Sequence, residues 1–232
     1  MRRRRSRTVV QVLSRLAGRV RVVEDRRERR LVVGGDILSV LPLDGDWSRL
    51  ADEYWGHALQ LVPLPARPAC LFVGLGGGTQ LHLLCRRTRP RALVVIEHDP
   101  VILRVARAWF GLDALGGVEF LCASAERAVP WLVRARRRFD FVMEDAAYAA
   151  EPERGRALVL SLVPLVAPGG ALVVNRHRRG DARALAALLR PRFRRVRVRR
   201  VRRGGENVLV AAVGPRPGAA RPAPAQPTRS RL

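Results

Sequence analysis

Ala69-Cys70-Leu71-Phe72-Val73-Gly74-Leu75-Gly76-Gly77-Gly78-Thr79 is a short apolar run that breaks on four glycines. A helical pattern follows it, through Leu81, Leu83 and Leu84. A second apolar run, Ala92 to Ile96, ends on Glu97, 19 residues past Gly78. The order is strand, glycine turn, helix, strand, acid. Glycines at a strand's end let a ligand approach backbone that a Cβ would block. The helix start offers unpaired N–H groups. A carboxylate at the tip of the next strand accepts two ribose hydroxyls, and a spacing of roughly 20 residues is what such a unit requires. The segment therefore reads as a nucleoside pocket. The glycine pattern alone is weak, because Thr79 stands where a full G-x-G-x-x-G has its last glycine. A tight strand-to-helix turn with no ligand is the plain alternative.

Working outward, Val20, Val22 and Leu31 to Val33 flank the polar run 24–30. With a turn at Gly34-Gly35-Asp36 and a strand from Ile37 to Leu41, they form a small antiparallel β unit. Residues 8–16 carry a poor signal, for a short strand or a helix. Asp52 to Leu61 has helical spacing, and Pro63, Pro65 and Pro68 mark the step into the main domain. Past Glu97, Asp99 and Pro100 start a helix that runs to Phe110. A third strand covers 118–121, a helix follows Ser124, and a fourth strand, 139–143, ends on Glu144-Asp145. A helix over 154–166, a turn at Pro168-Gly169-Gly170, a strand from Ala171 to Asn175 and a helix over 181–189 follow. Residues 193–201 and 208–213 read as a closing antiparallel pair around Gly204-Gly205. There Val196, Val198 and Val201 alternate with arginine, so one face is expected buried and one wet. This divides the chain into a basic arm (1–18), a β unit with a helix (19–66), a nucleoside-binding domain (67–213) and a disordered Pro/Ala/Arg-rich tail (214–232). Strands alternating with helices give a mostly parallel sheet covered on both faces. Its ligands sit beyond the carboxyl ends of the strands, where Gly74, Glu97, Ser124, Asp145 and Asn175 fall.

The 232 residues carry a formal charge of +24, and all 44 basic residues are arginine. Together with the abundance of Ala, Val, Leu, Gly and Pro, this fits a GC-rich coding bias; nonspecific polyanion binding stays open. Cys70, Cys85 and Cys122 lie in apolar stretches without C-x-x-C spacing. They are read as buried thiols of a reducing, cytoplasmic compartment, with no metal site. No apolar core follows the basic start, so no signal peptide is expected. The longest apolar stretch, 157–174, is broken by Pro164, Pro168 and Gly169-Gly170, so no membrane span is expected. His57, His82, His98 and His177 share no spacing and read as surface or packing residues. Trp55 and Trp109 read as core.

These residues resemble the spermidine synthase family, a branch of the class I methyltransferase fold. The matching pieces are Leu71 to Gly78, Val95-Ile96-Glu97-His98-Asp99-Pro100, Phe139 to Asp145 and Ala167 to Gly170. The β unit before Tyr54 and the segment Glu206 to Ala211 also match, so the likeness covers roughly 19–213. It implies a Rossmann-like α/β domain with a C-terminal antiparallel hairpin, preceded by a small antiparallel β unit. It implies that Gly74, Gly76, Gly77, Gly78 and Glu97 hold the nucleoside of S-adenosylmethionine or of decarboxylated S-adenosylmethionine. It places Ser124 beside the adenine, Asp145 as the base, and Tyr54 and Tyr148 near the substrate. It also implies a homodimer.

The chain departs from the family at three carboxylates. Gly77 stands for the loop acid that binds the aminopropyl amine, Tyr148 for the second acid of a D-x-x-D pair, and Ser124 for the acid that accepts from adenine. A dicationic polyamine is poorly paired in such a site. The expected function is therefore methyl transfer from S-adenosylmethionine to an unknown acceptor. The alternatives are an aminopropyltransferase with an atypical amine site and a non-catalytic relative serving as a binding or dimer module.

Overall fold

The computed structural model describes residues 6–146, 151–177, 181–201 and 207–218. Four antiparallel strands come first, β1 (Arg7–Ser14), β2 (Gly18–Glu24), β3 (Glu28–Val33) and β4 (Asp36–Pro42), paired in that order. The sheet thus begins at Arg7, inside the segment expected as an arm. Val10, Val12 and Ala17 explain why, since they pack on Val20, Val22 and Leu31. The single helix expected over 52–61 is two: α1 (Ser48–Ala51) and α2 (Tyr54–Gln60), separated by extended backbone at Glu53.

The main domain follows as β5 (Ala69–Val73), α3 (Thr79–Arg87), β6 (Ala92–Glu97), α4 (Pro100–Trp109), β7 (Val118–Cys122), α5 (Ala125–Arg134) and β8 (Phe139–Glu144). Then come α6 (Pro152–Leu162), β9 (Val166–His177), α7 (Ala182–Leu189), β10 (Phe193–Val201) and β11 (Asn207–Pro215). The sheet order is β10-β11-β9-β8-β5-β6-β7, parallel from β9 to β7 and antiparallel where β11 meets β9 and β10. This is the mostly parallel sheet with a closing hairpin that the alternation of elements predicts.

Each face of the sheet has its own core. Leu71, Val94, Val142 and Val174 pack with α5, α6 and α7. Cys70, Phe72, Val95 and Phe141 pack with Trp55, Leu59, Leu81 and Leu84 of α2 and α3. Ile102 and Val105 of α4 join the N-terminal sheet instead, so α4 bridges the two units.

Three local readings are corrected. Pro168-Gly169-Gly170 lies inside β9 as an irregularity opposite β8, not in a turn before it. A Cβ on Gly170 would come within 2.9 Å of the carbonyl oxygens of Phe139 and Asp140, so the two strands approach too closely there for a side chain. The helix over 154–166 ends at Leu162 and tightens into a 3₁₀ turn at Val163–Leu165, where Pro164 disfavours continued α-helix. On β10, the sheet's outermost strand, Val196 is half-buried against the core, but Val198 is 47% exposed. Gly204-Gly205 and the tail beyond Gly218 lie outside the described residues, as do Met1 to Arg5. Among the described residues no helix is long and apolar enough to cross a membrane.

Candidate functional site

The hinge after β5 is built by backbone that only glycine adopts readily. Gly74, Gly76 and Gly78 have φ of +92°, +54° and +82°. Gly74 N donates to Ile96 O at 2.9 Å, and Gly78 N closes the turn on Leu75 O at 3.0 Å. Protein atoms fill the directions their side chains would take. A Cβ would meet Asp145 O at 2.8 Å from Gly74, Ser39 Oγ at 2.7 Å from Gly76, the Phe110 ring at 2.8 Å from Gly77 and Leu112 Cδ2 at 2.5 Å from Gly78. Ser39 Oγ also accepts from Gly77 N at 2.7 Å, and Thr79 Oγ1 bonds both N and O of Val40 at 2.8 Å. The N-terminal sheet therefore clamps the loop through β4. Ser39 is not legible in the sequence, because a lone buried serine on a strand carries no spacing signal.

Glu97 points at the hinge. Its Oε2 accepts from Leu75 N at 3.0 Å and its Oε1 from Asp99 N at 2.8 Å. It is 8% exposed, and burial raises its pKa above the usual carboxylate range, against the pull of those N–H groups. A carboxylate has about four acceptor positions, so acceptor capacity remains. Ser124 opens α5 beyond the end of β7 without capping it through its side chain. Cys122 pairs in register with Glu97, which sets Ser124 close to the same end of the sheet. Cys122 is exposed, whereas it was expected buried; it ends a strand at the sheet's other edge.

Asp145 follows β8 on the α2 side of the sheet. Tyr54 OH donates to its Oδ2 at 3.0 Å and Asn175 Nδ2 to its Oδ1 at 2.8 Å. Burial pushes the carboxyl up to about 6, with the Asn175 and Tyr54 donors opposing. The Tyr54 hydroxyl is itself driven well above its ordinary value, by burial first and then by Asp145. Asn175 is 8% exposed, and its Oδ1 is buried without a hydrogen-bond partner. One residue earlier, at the end of β8, Glu144 faces the opposite side. It is fully buried, accepts from Arg176 Nη1 at 2.5 Å and is pushed up to about 7 by desolvation that outweighs the guanidinium. Arg176 continues to Asp181 at 3.2 Å and donates to Asn175 O at 2.7 Å. The structure thus brings Gly74, Glu97, Asp145, Asn175 and Tyr54 to one end of the sheet. Tyr148 lies outside the described residues. Among the described residues no cluster of His, Cys, Asp or Glu could hold a metal. His82 packs, its Nε2 at 2.7 Å from Phe110 O and its ring 5.0 Å from that of Trp47. Trp55 is core, while Trp109 is half-buried beneath Arg29.

This arrangement of sheet, hinge and strand-end acids is the class I methyltransferase fold in its spermidine synthase-like form. The chain matches a spermidine synthase in complex with the transition-state analogue AdoDATO, with a TM-score of 0.64 and 13% identity over 89% of this chain and 72% of that one. It matches the spermidine synthase of Thermotoga maritima equally well, at 0.64 and 14% identity with the same coverage. Human methyltransferase-like protein 13 in complex with SAH matches at 0.53 and 22% identity, over 79% of this chain and 94% of that one. Likeness at these identities shows the fold. No protein-family model and no curated protein sequence matches the chain.

Proposed function

We propose that the chain binds an S-adenosyl nucleoside over the glycine hinge and transfers its methyl group to an acceptor that Asp145 deprotonates. One observation carries this reading. The Glu97 carboxylate lies against the hinge, 3.0 Å from Leu75 N, with lone pairs left for a sugar diol. When bound, such a nucleoside supplies an electrophilic carbon beside a sulfonium. Glu97 holds the ribose, the backbone of Gly74 to Gly78 lies beneath the nucleoside, and Ser124 sits on the adenine side. Asp145, with a carboxyl near 6, is mostly ionised at neutral pH and able to take a proton.

Methyl transfer is preferred to aminopropyl transfer because of Gly77. A side chain there would run into Phe110 and Ser39, so the loop offers no carboxylate to an aminopropyl ammonium. The buried, unpartnered Asn175 Oδ1 favours the second reading, aminopropyl transfer, since it offers an amine N–H an extra acceptor beside Asp145. A third reading, a non-catalytic module, draws on the protein atoms that meet every hinge glycine, because packing alone then demands glycine.

Calorimetry with S-adenosylmethionine, its decarboxylated form and methylthioadenosine separates the three. Glu97→Ala is expected to weaken S-adenosylmethionine binding at least about tenfold, as loss of a charged acceptor for two hydroxyls implies. Preference for the decarboxylated form, with a product from putrescine or spermidine, would establish aminopropyl transfer. Binding of none of the three nucleosides by folded protein leaves only the third reading.

A further inference from the structure

Between Asp181 and Glu206 the sequence holds ten arginines in 24 residues and no acidic residue. The chain as a whole has 44 in 232, so this density is more than twice the average and exceeds what a uniform coding bias gives. Five of the ten lie on β10: Arg194, Arg195, Arg197, Arg199 and Arg200, all exposed. Several arginines elsewhere are paired, such as Arg29 with Glu24, Arg49 with Asp44 and Arg176 with Glu144. Among the described residues none of the five on β10 has a carboxylate partner, and the cross-strand neighbours of Arg195, Arg197 and Arg199 are Val213, Ala211 and Leu209.

We propose that this edge docks the phosphodiester backbone of a single-stranded nucleic acid. β10 pairs only with β11, so its outer side is open. Side chains two residues apart on one face repeat at roughly 6.8 Å, which sets Arg195, Arg197 and Arg199 as a straight row of cations. A linear polyanion lying along the strand meets one charge after another. A second copy of the chain would set like charges against like, so pairing of two edges is disfavoured. Cavities open on both faces of the strand. One of about 300 Å³ has Arg194, Arg138 and Arg216 at its rim and Pro164 and Pro168 as apolar wall. A smaller one, about 60 Å³, lies between Arg195, Arg197, Leu61 and Pro63. The larger one gives room for a base or sugar beside the docked backbone. The site is separate from the hinge and stands whether or not a nucleoside binds there.

Fluorescence anisotropy with a labelled oligouridylate tests it. Wild-type protein should bind with log K falling linearly with log salt. The triple variant R195T/R197T/R199T, with threonine chosen as a strand former, should bind at least about tenfold more weakly at 0.1 M salt, its slope smaller by about two. A control, R104Q/R127Q/R134Q, removes the same charge from exposed helical arginines and should stay within about threefold of wild type. Equal losses in both variants, or no loss in the first, would overturn the proposal. So would losses on anionic vesicles with RNA binding unchanged. Should the triple variant fail to fold, as read by circular dichroism, the single exposed change Arg197→Glu carries the same comparison.

Discussion

Glu97 and Asp145 close the two strands that flank β5, and they are held in opposite ways. Glu97 is held by main chain, through the N–H groups of Leu75 and Asp99. Asp145 is held by side chains, Tyr54 from 91 residues away and Asn175 from 30. Main-chain donors are set by the turn itself and cannot be lost without remaking it. Side-chain donors can be removed one atom at a time. The hinge end is therefore rigid, while the β8–β9 end is the adjustable part, where the acidity of the Asp145 carboxyl is tuned.

The largest effect is expected where the two ends touch. Gly74 combines φ of +92° with a Cβ direction 2.8 Å from Asp145 O, a main-chain atom that cannot rotate away. Gly74→Ala should cost roughly 2–5 kcal/mol, the sum of a left-handed conformation and overpacking. Urea denaturation measures it. A cost under about 1 kcal/mol would mean the two ends are not rigidly coupled.

That difference also explains what the sequence made legible. The hinge, Glu97 and the Asp99-Pro100 helix start were readable because all their partners lie within one βαβ unit. Periodicity and spacing encode such local geometry. Asp145 was readable only as an acid at a strand's end. Nothing in the spacing joins Tyr54 or Asn175 to it, because that contact depends on how α2 packs on the sheet. Ser39 was hidden for the same reason, and the extended strand at 166–170 because Pro-Gly-Gly is ordinarily a turn signal. The exposure of Val198 was missed because alternation shows two faces but not whether anything covers them.

Glu144 sharpens the contrast, as a third strand-end acid held by an ion pair. Its carboxyl is raised from 4.5 to about 7, and that of Asp145 from 3.8 to about 6. The folded protein keeps protons that the unfolded chain releases near pH 4. These groups therefore contribute stability at low pH that is lost as the pH rises through 6 and 7. Glu144→Gln should change stability little at pH 5, where the buried carboxyl is already protonated, and should flatten the fall between pH 5 and pH 8 by roughly 2–3 kcal/mol. Urea midpoints across that range provide the check. An unchanged pH slope in the variant would assign the fall to other groups.

The smallest change is the most informative about Asp145. Tyr54→Phe deletes one hydroxyl, 3.0 Å from Oδ2, and leaves the ring against Trp55 at 4.6 Å. Stability should fall by only about 0.5–1.5 kcal/mol, the net value of one hydrogen bond. The carboxylate loses a donor that favours its charged form, so its pKa should rise above the value near 6. Carboxyl titration by NMR reads this directly. With an acceptor in hand, the acid limb of the rate profile should move to higher pH by the same amount while the plateau stays. Glu97, whose donors are main chain, should titrate as before in this variant. A shift at Glu97 as well would show that the two ends are electrostatically coupled. No shift at Asp145 would make Tyr54 a packing residue, leaving Asn175 to hold the carboxylate alone.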